Sequence, residues 1–203
     1  MNNEIGEEKK EEIIKACEEL YEETSFKDIT IKGIGEQGKF SRTSIYYYFQ
    51  TKEEIFLALF KKEYENWIKD LEELYSENEE LTKENFADKL AKTIEKRTNL
   101  LKLLSMNMYD MEENSRMEEL IEFKTAYGKS VEMVRKCIDK FFKDMSEEEK
   151  DKFIFSFFPF MYGIYPYAEV TEKQKEAMEK ARVPFKFQTI YEITYNGLLK
   201  LLK

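Results

Sequence analysis

The sequence predicts an all-α protein, and three observations carry that expectation. Val occurs four times, Gly seven and Pro three in 203 residues, so the residues that favour strands and tight turns are scarce. Lys and Glu, both good helix formers, dominate the polar positions. Apolar residues recur at helical spacing, as in Ile13, Ile14, Cys17, Leu20 and Tyr21. Leu, Ile, Val and Phe together number 52, about a quarter of the chain and above the roughly 20% under which disorder becomes the default.

The first helix is expected from about Glu7 to Thr24, with a nearly all-glutamate outer face. Thr30 suits the N-cap of a two-turn second helix that carries Ile31 and Ile34 inward and ends by Gly38. Ser41 can cap a third, Arg42 to Tyr48, with Ile45 and Phe49 on its apolar side. Thr51-Lys52-Glu53-Glu54 reads as a capping box that opens a long fourth helix through Ile55, Leu59, Trp67 and Leu71. A break is expected at Ser76–Glu84, and a loop or short helix at Met106–Asn114. Ser115 with Glu118, Ser146 with Glu149, and Thr171 with Gln174 repeat the capping-box pattern. Further helices are therefore expected near 83–104, 116–142, 147–165, 172–181 and 184–202, the last with Pro184 in its first turn.

Several function classes lose their chemistry. Histidine is absent, which removes the usual general base of nucleophilic triads and the commonest zinc ligand. The glutamates recur on exposed helical faces, where solvated pairs are the better explanation, so no enzyme, metal or cofactor is expected. Cys17 and Cys137 lie 120 residues apart without Cys-x-x-Cys spacing, which fits a reducing compartment. Met1–Glu12 has no apolar segment of secretory type. The longest uncharged run, Phe153–Ala168, has 16 residues and two prolines, short of the ~20 that span a bilayer. A cytoplasmic protein without a membrane partner is expected.

The net charge of −9 argues mildly against nucleic acid, but its distribution does not. Met1–Phe26 carries −6, whereas Lys27–Lys52 carries +3. That basic window is the short-helix pair, and two short helices packed on a first form a helix-turn-helix whose second helix fits the major groove of B-DNA. Lys27, Lys32, Lys39, Arg42 and Lys52 would face phosphates or base edges. Tyr46, Tyr47 and Tyr48 point three ways around a helix and cannot all be core. A purely structural three-helix corner with solvated lysines accounts for the same composition equally well.

From Ile13 to Phe60 the chain resembles, without a gap, the N-terminal domain of the TetR family of bacterial transcriptional regulators. The matching residues are Ile13, Ala16, Leu20, Tyr21, Thr30, Ile31, Ile34, Ser41, Ile45, Tyr46, Tyr47, Tyr48, Phe49, Lys52 and Glu53. The resemblance implies DNA contacts from Thr30 and Lys32 on the second helix and from Arg42, Thr43 and Ser44 at the start of the recognition helix. It also implies backbone contacts from Tyr47, Tyr48 and Lys52, with Tyr46 at the edge of core and groove. The chain departs from the family where Ser25, Gly35, Gly38 and Lys39 stand. If the turn needs a left-handed residue, Lys39 is strained, or Gly38 relieves it by shifting the turn one place.

The resemblance further implies residues 1–52 as the helix-turn-helix domain and 53–203 as a helical ligand-binding and dimerisation domain, bridged by the helix from 52. A small apolar or aromatic inducer is expected among Trp67, Met106, Tyr109, Phe123, Tyr127, Phe160 and Met161. Ordinary core is the competing reading for each. A homodimer is implied through the last long helices, with Phe158, Tyr191, Tyr195, Leu198 and Leu202 as candidate partner-facing residues. The expected function is a ligand-responsive repressor on a palindromic double-stranded operator. The alternative is a helical ligand carrier or interaction protein that keeps the scaffold without sequence-specific DNA binding.

Overall fold

A computed structural model describes residues 2–202, and every regular element among them is a helix. In chain order these are α1 (Asn2–Glu23), α2 (Ile31–Gly38), α3 (Arg42–Tyr48), α4 (Lys52–Ser76), α5 (Lys83–Glu95) and α6 (Thr98–Leu104). They continue with α7 (Met108–Glu113), α8 (Met117–Phe141), α9 (Glu147–Ala168), α10 (Glu172–Lys180) and α11 (Ile190–Leu201). No helix among the described residues is long and apolar enough to cross a membrane.

The contacts divide the chain into two units, Met1–Tyr64 with Asn107–Gly128, and Glu65–Met106 with Lys129–Lys203. In this division α4 and α8 each contribute to both units, whereas the sequence reading divides the chain at residue 52.

In the first unit α1 buries Ile13, Cys17 and Tyr21, the inner side of the stripe read from the sequence. Tyr21 and Phe26 meet the Phe56 ring edge-on at 5.2 and 4.7 Å, and Phe60 packs on Tyr64 and Phe123. Each such side chain sealed from water contributes on the order of 1.5–3 kcal/mol.

In the second unit Trp67 is sealed between Phe157 and Phe158, with centroid distances of 6.3 and 6.0 Å. Its indole N–H donates to Thr93 Oγ1 at 3.0 Å, and Thr93 donates onward to the Leu90 carbonyl at 2.8 Å. The buried donor is therefore satisfied, as burial of an indole requires. Helix α9 opens with the expected Ser146–Glu149 capping box and turns Phe153, Ile154, Phe157, Phe158, Met161 and Ile164 inward. Its opposite side exposes Phe155, Pro159, Tyr162 and Pro166. Helices α9 and α11 approach so closely at Gly197 that an added Cβ would overlap the Phe160 ring.

Three expected elements differ. The helix expected over 83–104 breaks at Lys96–Arg97, where the Arg97 guanidinium is drawn to Asp70 with Nε to Oδ2 at 2.6 Å. Ser115 does not cap α8, because its hydroxyl donates back to the Met111 carbonyl at 2.7 Å. Pro184 starts no helix: α10 ends at Lys180, the chain turns at Arg182 with φ 55°, and a Thr189–Glu192 capping box opens α11 instead. Cys17 and Cys137 are both buried, and burial pushes each thiol up to about 12.

Candidate nucleic-acid interface

The interface is built on a short helix, a turn and a second short helix. Thr30 is extended at the N-cap of α2, and its hydroxyl accepts the Gly33 N–H at 3.0 Å. Ser41 does the same for α3, accepting from Ser44 N at 3.1 Å. These caps satisfy amides that the helices cannot pair internally. Thr30 is exposed, and its O–H is left as a donor.

The turn between them closes on Lys39, which takes the left-handed conformation at φ 59° and ψ 38°. Gly38 does not take it over, so the strain falls on the lysine. The Phe40 amide donates to Gly35 O at 2.8 Å, closing the helix end. The two glycines answer a matter of space. A Cβ at Gly35 would lie 2.8 Å from the Phe40 carbonyl oxygen, and one at Gly38 would enter the Phe40 ring.

Helix α3 anchors itself through one buried residue, Ile45, with Phe49 sealed just after it. The remaining circumference is open. Arg42 and Thr43 are exposed, Ser44 is half-buried, Tyr46 is 52% exposed and Tyr47 82%, while Tyr48 is half-buried and meets Tyr47 edge-on at 4.9 Å. Among the described residues Arg42 makes no ion pair, so its guanidinium is available at the start of the helix. Lys32, on α2, is exposed and 3.4 Å from Glu36.

Lys52, expected at a phosphate, also has partners within the unit. Its Nζ donates to the Phe26 carbonyl at 2.7 Å and lies 3.9 Å from the centre of the Phe26 ring, so the ammonium is engaged inside the unit. Glu54, by contrast, escaped sequence reasoning. It is wholly buried, and its carboxylate receives the Gln50 amide at 2.7 Å and the Arg116 amide, Nε and Nη2 at 3.0, 2.7 and 2.9 Å. Burial pushes its pKa up, but the Arg116 hydrogen bond and the two backbone amides outweigh it, and the carboxyl titrates below its ordinary range. The sequence signal for this pairing is absent, since the partners stand 62 residues apart.

The candidate ligand residues do not form one cluster within either unit. In the first, Phe123 and Tyr127 surround Tyr64, and Tyr109 is 85% exposed. In the second, Trp67 and Met161 are filled core, and Met106 is half-buried. Phe160 lines a largely apolar groove of about 330 Å³ with Gly163, Tyr167, Phe185, Lys186, Gln188 and Ile193. Tyr167, on α9, and Phe185, on the irregular segment before α11 where the sequence predicts helix, lie outside the expected set.

Phe158, Leu198 and Leu202, expected to face a partner, are each buried within the single chain, with almost no exposed surface of their own. Tyr191 and Tyr195 are half-buried and stacked at 5.7 Å, with the Tyr191 hydroxyl donating to Asp88 at 2.8 Å.

Comparison with known proteins agrees with this geometry. Residues 13–59 match the family described as bacterial regulatory proteins, tetR family, and residues 61–195 match the tetracyclin repressor-like C-terminal domain. No curated protein matches the chain significantly. Among solved structures, the transcriptional regulator FadR from Bacillus subtilis, in complex with stearoyl-CoA, superposes with a TM-score of 0.59. It has 19% identity, over 94% of this chain and 96% of that one. The fatty acid degradation regulator FadR from Bacillus halodurans gives a TM-score of 0.58 at 14% identity, over 95% and 97%. With both halves matched and the fold shared end to end, the chain belongs to the TetR family of transcriptional regulators.

Proposed function

We propose that the protein is a homodimeric repressor that binds a palindromic operator through α3 and is released by a ligand with a large apolar body. The observation that carries this reading is α3 itself. Ile45 and Phe49 are sealed, while Arg42, Thr43, Tyr46 and Tyr47 stand exposed on one short helix beside a capped α2. An unpaired guanidinium near the N-terminus of such a helix can bind guanine O6 and N7 bidentately, and tyrosine hydroxyls suit phosphates. Thr30, Lys32, Ser44 and Tyr48 complete the proposed contact surface, with Lys52 supporting it from within. The reading has no catalytic step and places the protein in the cytoplasm with its DNA.

Two copies joined through the last helices would set two recognition helices about 34–36 Å apart or somewhat more, one per half-site. The α9 residues Phe155, Pro159, Tyr162 and Pro166 recur every three or four positions on the exposed side, and they support α9 as the seam. The ligand class is supported by the apolar groove beside Phe160 and, at the level of fold, by the stearoyl-CoA held by the Bacillus subtilis neighbour. Release then requires the ligand to prefer the dimer state that cannot span both half-sites.

The test is fluorescence anisotropy with the duplex immediately upstream of the protein's own coding sequence, against a scrambled duplex, at two salt concentrations. Tight salt-sensitive binding to the native duplex alone, reversed by stearoyl-CoA, is expected. Equal weak binding to both duplexes would favour a carrier on the same scaffold.

A further inference from the structure

Helix α3 has seven residues and is held within the helix-turn-helix by one buried side chain of its own, Ile45, and its packing on α2. The segment that follows α3 is gripped by the turn between α7 and α8. The Arg116 Nη2 donates to the Tyr48 carbonyl at 3.0 Å, at the C-terminal end of α3 where carbonyls lack helical partners. The same guanidinium holds Glu54 by two hydrogen bonds, and Glu54 in turn accepts the Gln50 amide. One residue further, the Thr51 hydroxyl donates to the Asn114 carbonyl at 2.9 Å. Glu119 Oε1 stands 3.4 Å from Nη2 and completes the surroundings of the charge.

We propose that Arg116 is a positioning residue for the recognition helix: from outside the helix-turn-helix, its planar fork ties the end of α3 to the start of α4 and so sets the angle at which Arg42 and the tyrosines meet DNA. The inference rests on the operator reading above. A guanidinium serves the Glu54 carboxylate and the Tyr48 carbonyl together because its donors diverge in one plane. A lysine ammonium keeps the charge and loses that geometry. Mispositioning by a small angle costs base contacts, which demand register, and spares phosphate attraction, which does not.

The test compares wild type with Arg116→Lys on the operator and on a scrambled duplex, using an operator selected from a random duplex pool if the upstream DNA does not supply one. The expected result is an about tenfold loss on the operator with scrambled binding unchanged to within about twofold, so that the ratio of the two falls. A variant that merely loses folded protein weakens both in proportion, and an unchanged ratio overturns the proposal. Amide hydrogen exchange in the free proteins gives a second reading that needs no DNA. Faster exchange at Ile45–Phe49 relative to α1 is expected in Arg116→Lys, and equal protection overturns the hold on α3. If wild type prefers no duplex from the pool, the operator reading fails, and the exchange result still decides whether Arg116 holds the helix.

Discussion

The Phe160 ring occupies the space where a side chain at Gly197 would begin, so any larger residue there requires the ring to shift. Gly197→Ala forces a methyl into packed aromatic carbon, and overpacking of this kind costs about 1–3 kcal/mol. A lowered thermal midpoint for Gly197→Ala, restored by Phe160→Leu in the same chain, is the expected outcome. An unshifted midpoint would show that the two helices slide apart freely.

Lys39 sits in a conformation that glycine adopts without penalty. Lys39→Gly is expected to stabilise the protein by about 1 kcal/mol, read from urea unfolding. Equal or lower stability would mean that the side chain compensates its backbone strain.

Arg42 is the residue on which base recognition is expected to rest. Arg42→Ala should weaken operator binding by ~1–3 kcal/mol and leave dimerisation untouched, as followed by anisotropy and light scattering. Full operator affinity would move the reading surface elsewhere.

Phe155, at 75% exposure, stands in the middle of the apolar side of α9. A carboxylate there would have to be desolvated in a two-fold interface, opposite its own copy. Phe155→Glu is therefore expected to abolish the proposed dimer, read by light scattering on both proteins. A dimer that survives it would place the seam on another face.

The Glu54 carboxyl titrates below the unfolded value because of Arg116 and two amides that outweigh its burial. A carboxyl depressed in the folded state contributes stability that is present above its unfolded pKa and is lost as pH falls through the folded one. Urea midpoints should hold near neutrality and drop below about pH 4.5. Glu54→Gln should be destabilised at pH 7 and show a shallower acid fall. Glu119, pushed up by burial, works in the opposite sense. An acid fall unchanged in Glu54→Gln would assign it to other carboxyls.

The helix-turn-helix was legible because its signals are local. Thr30 and Ser41 cap within three residues, and Ile45 and Phe49 repeat at helical spacing. What could not be read depends on distance or on choice of face. Glu54 looks like half of a capping box, and the Glu54 N–H does bond to Thr51 at 3.2 Å, but the carboxylate turns to an arginine 62 residues later. On α9 apolar residues cover most of the circumference, so spacing alone does not tell Phe158, which faces in, from Phe155, which faces out. Arg97 breaks a helix for an ion pair with Asp70, and nothing in the intervening 26 residues announces it.

The burial of Cys17 and Cys137 has a practical consequence. With both thiols raised to about 12, the reactive thiolate at pH 7 amounts to about one part in 10⁵, and each sulfur is also shielded from reagents. The native chain is thus close to a cysteine-free background for chemistry in solution. A single new cysteine at exposed Thr43 would take a spin label or fluorophore selectively. The separation of two such labels across an assembled pair would report the span between recognition helices directly, with and without a bound effector.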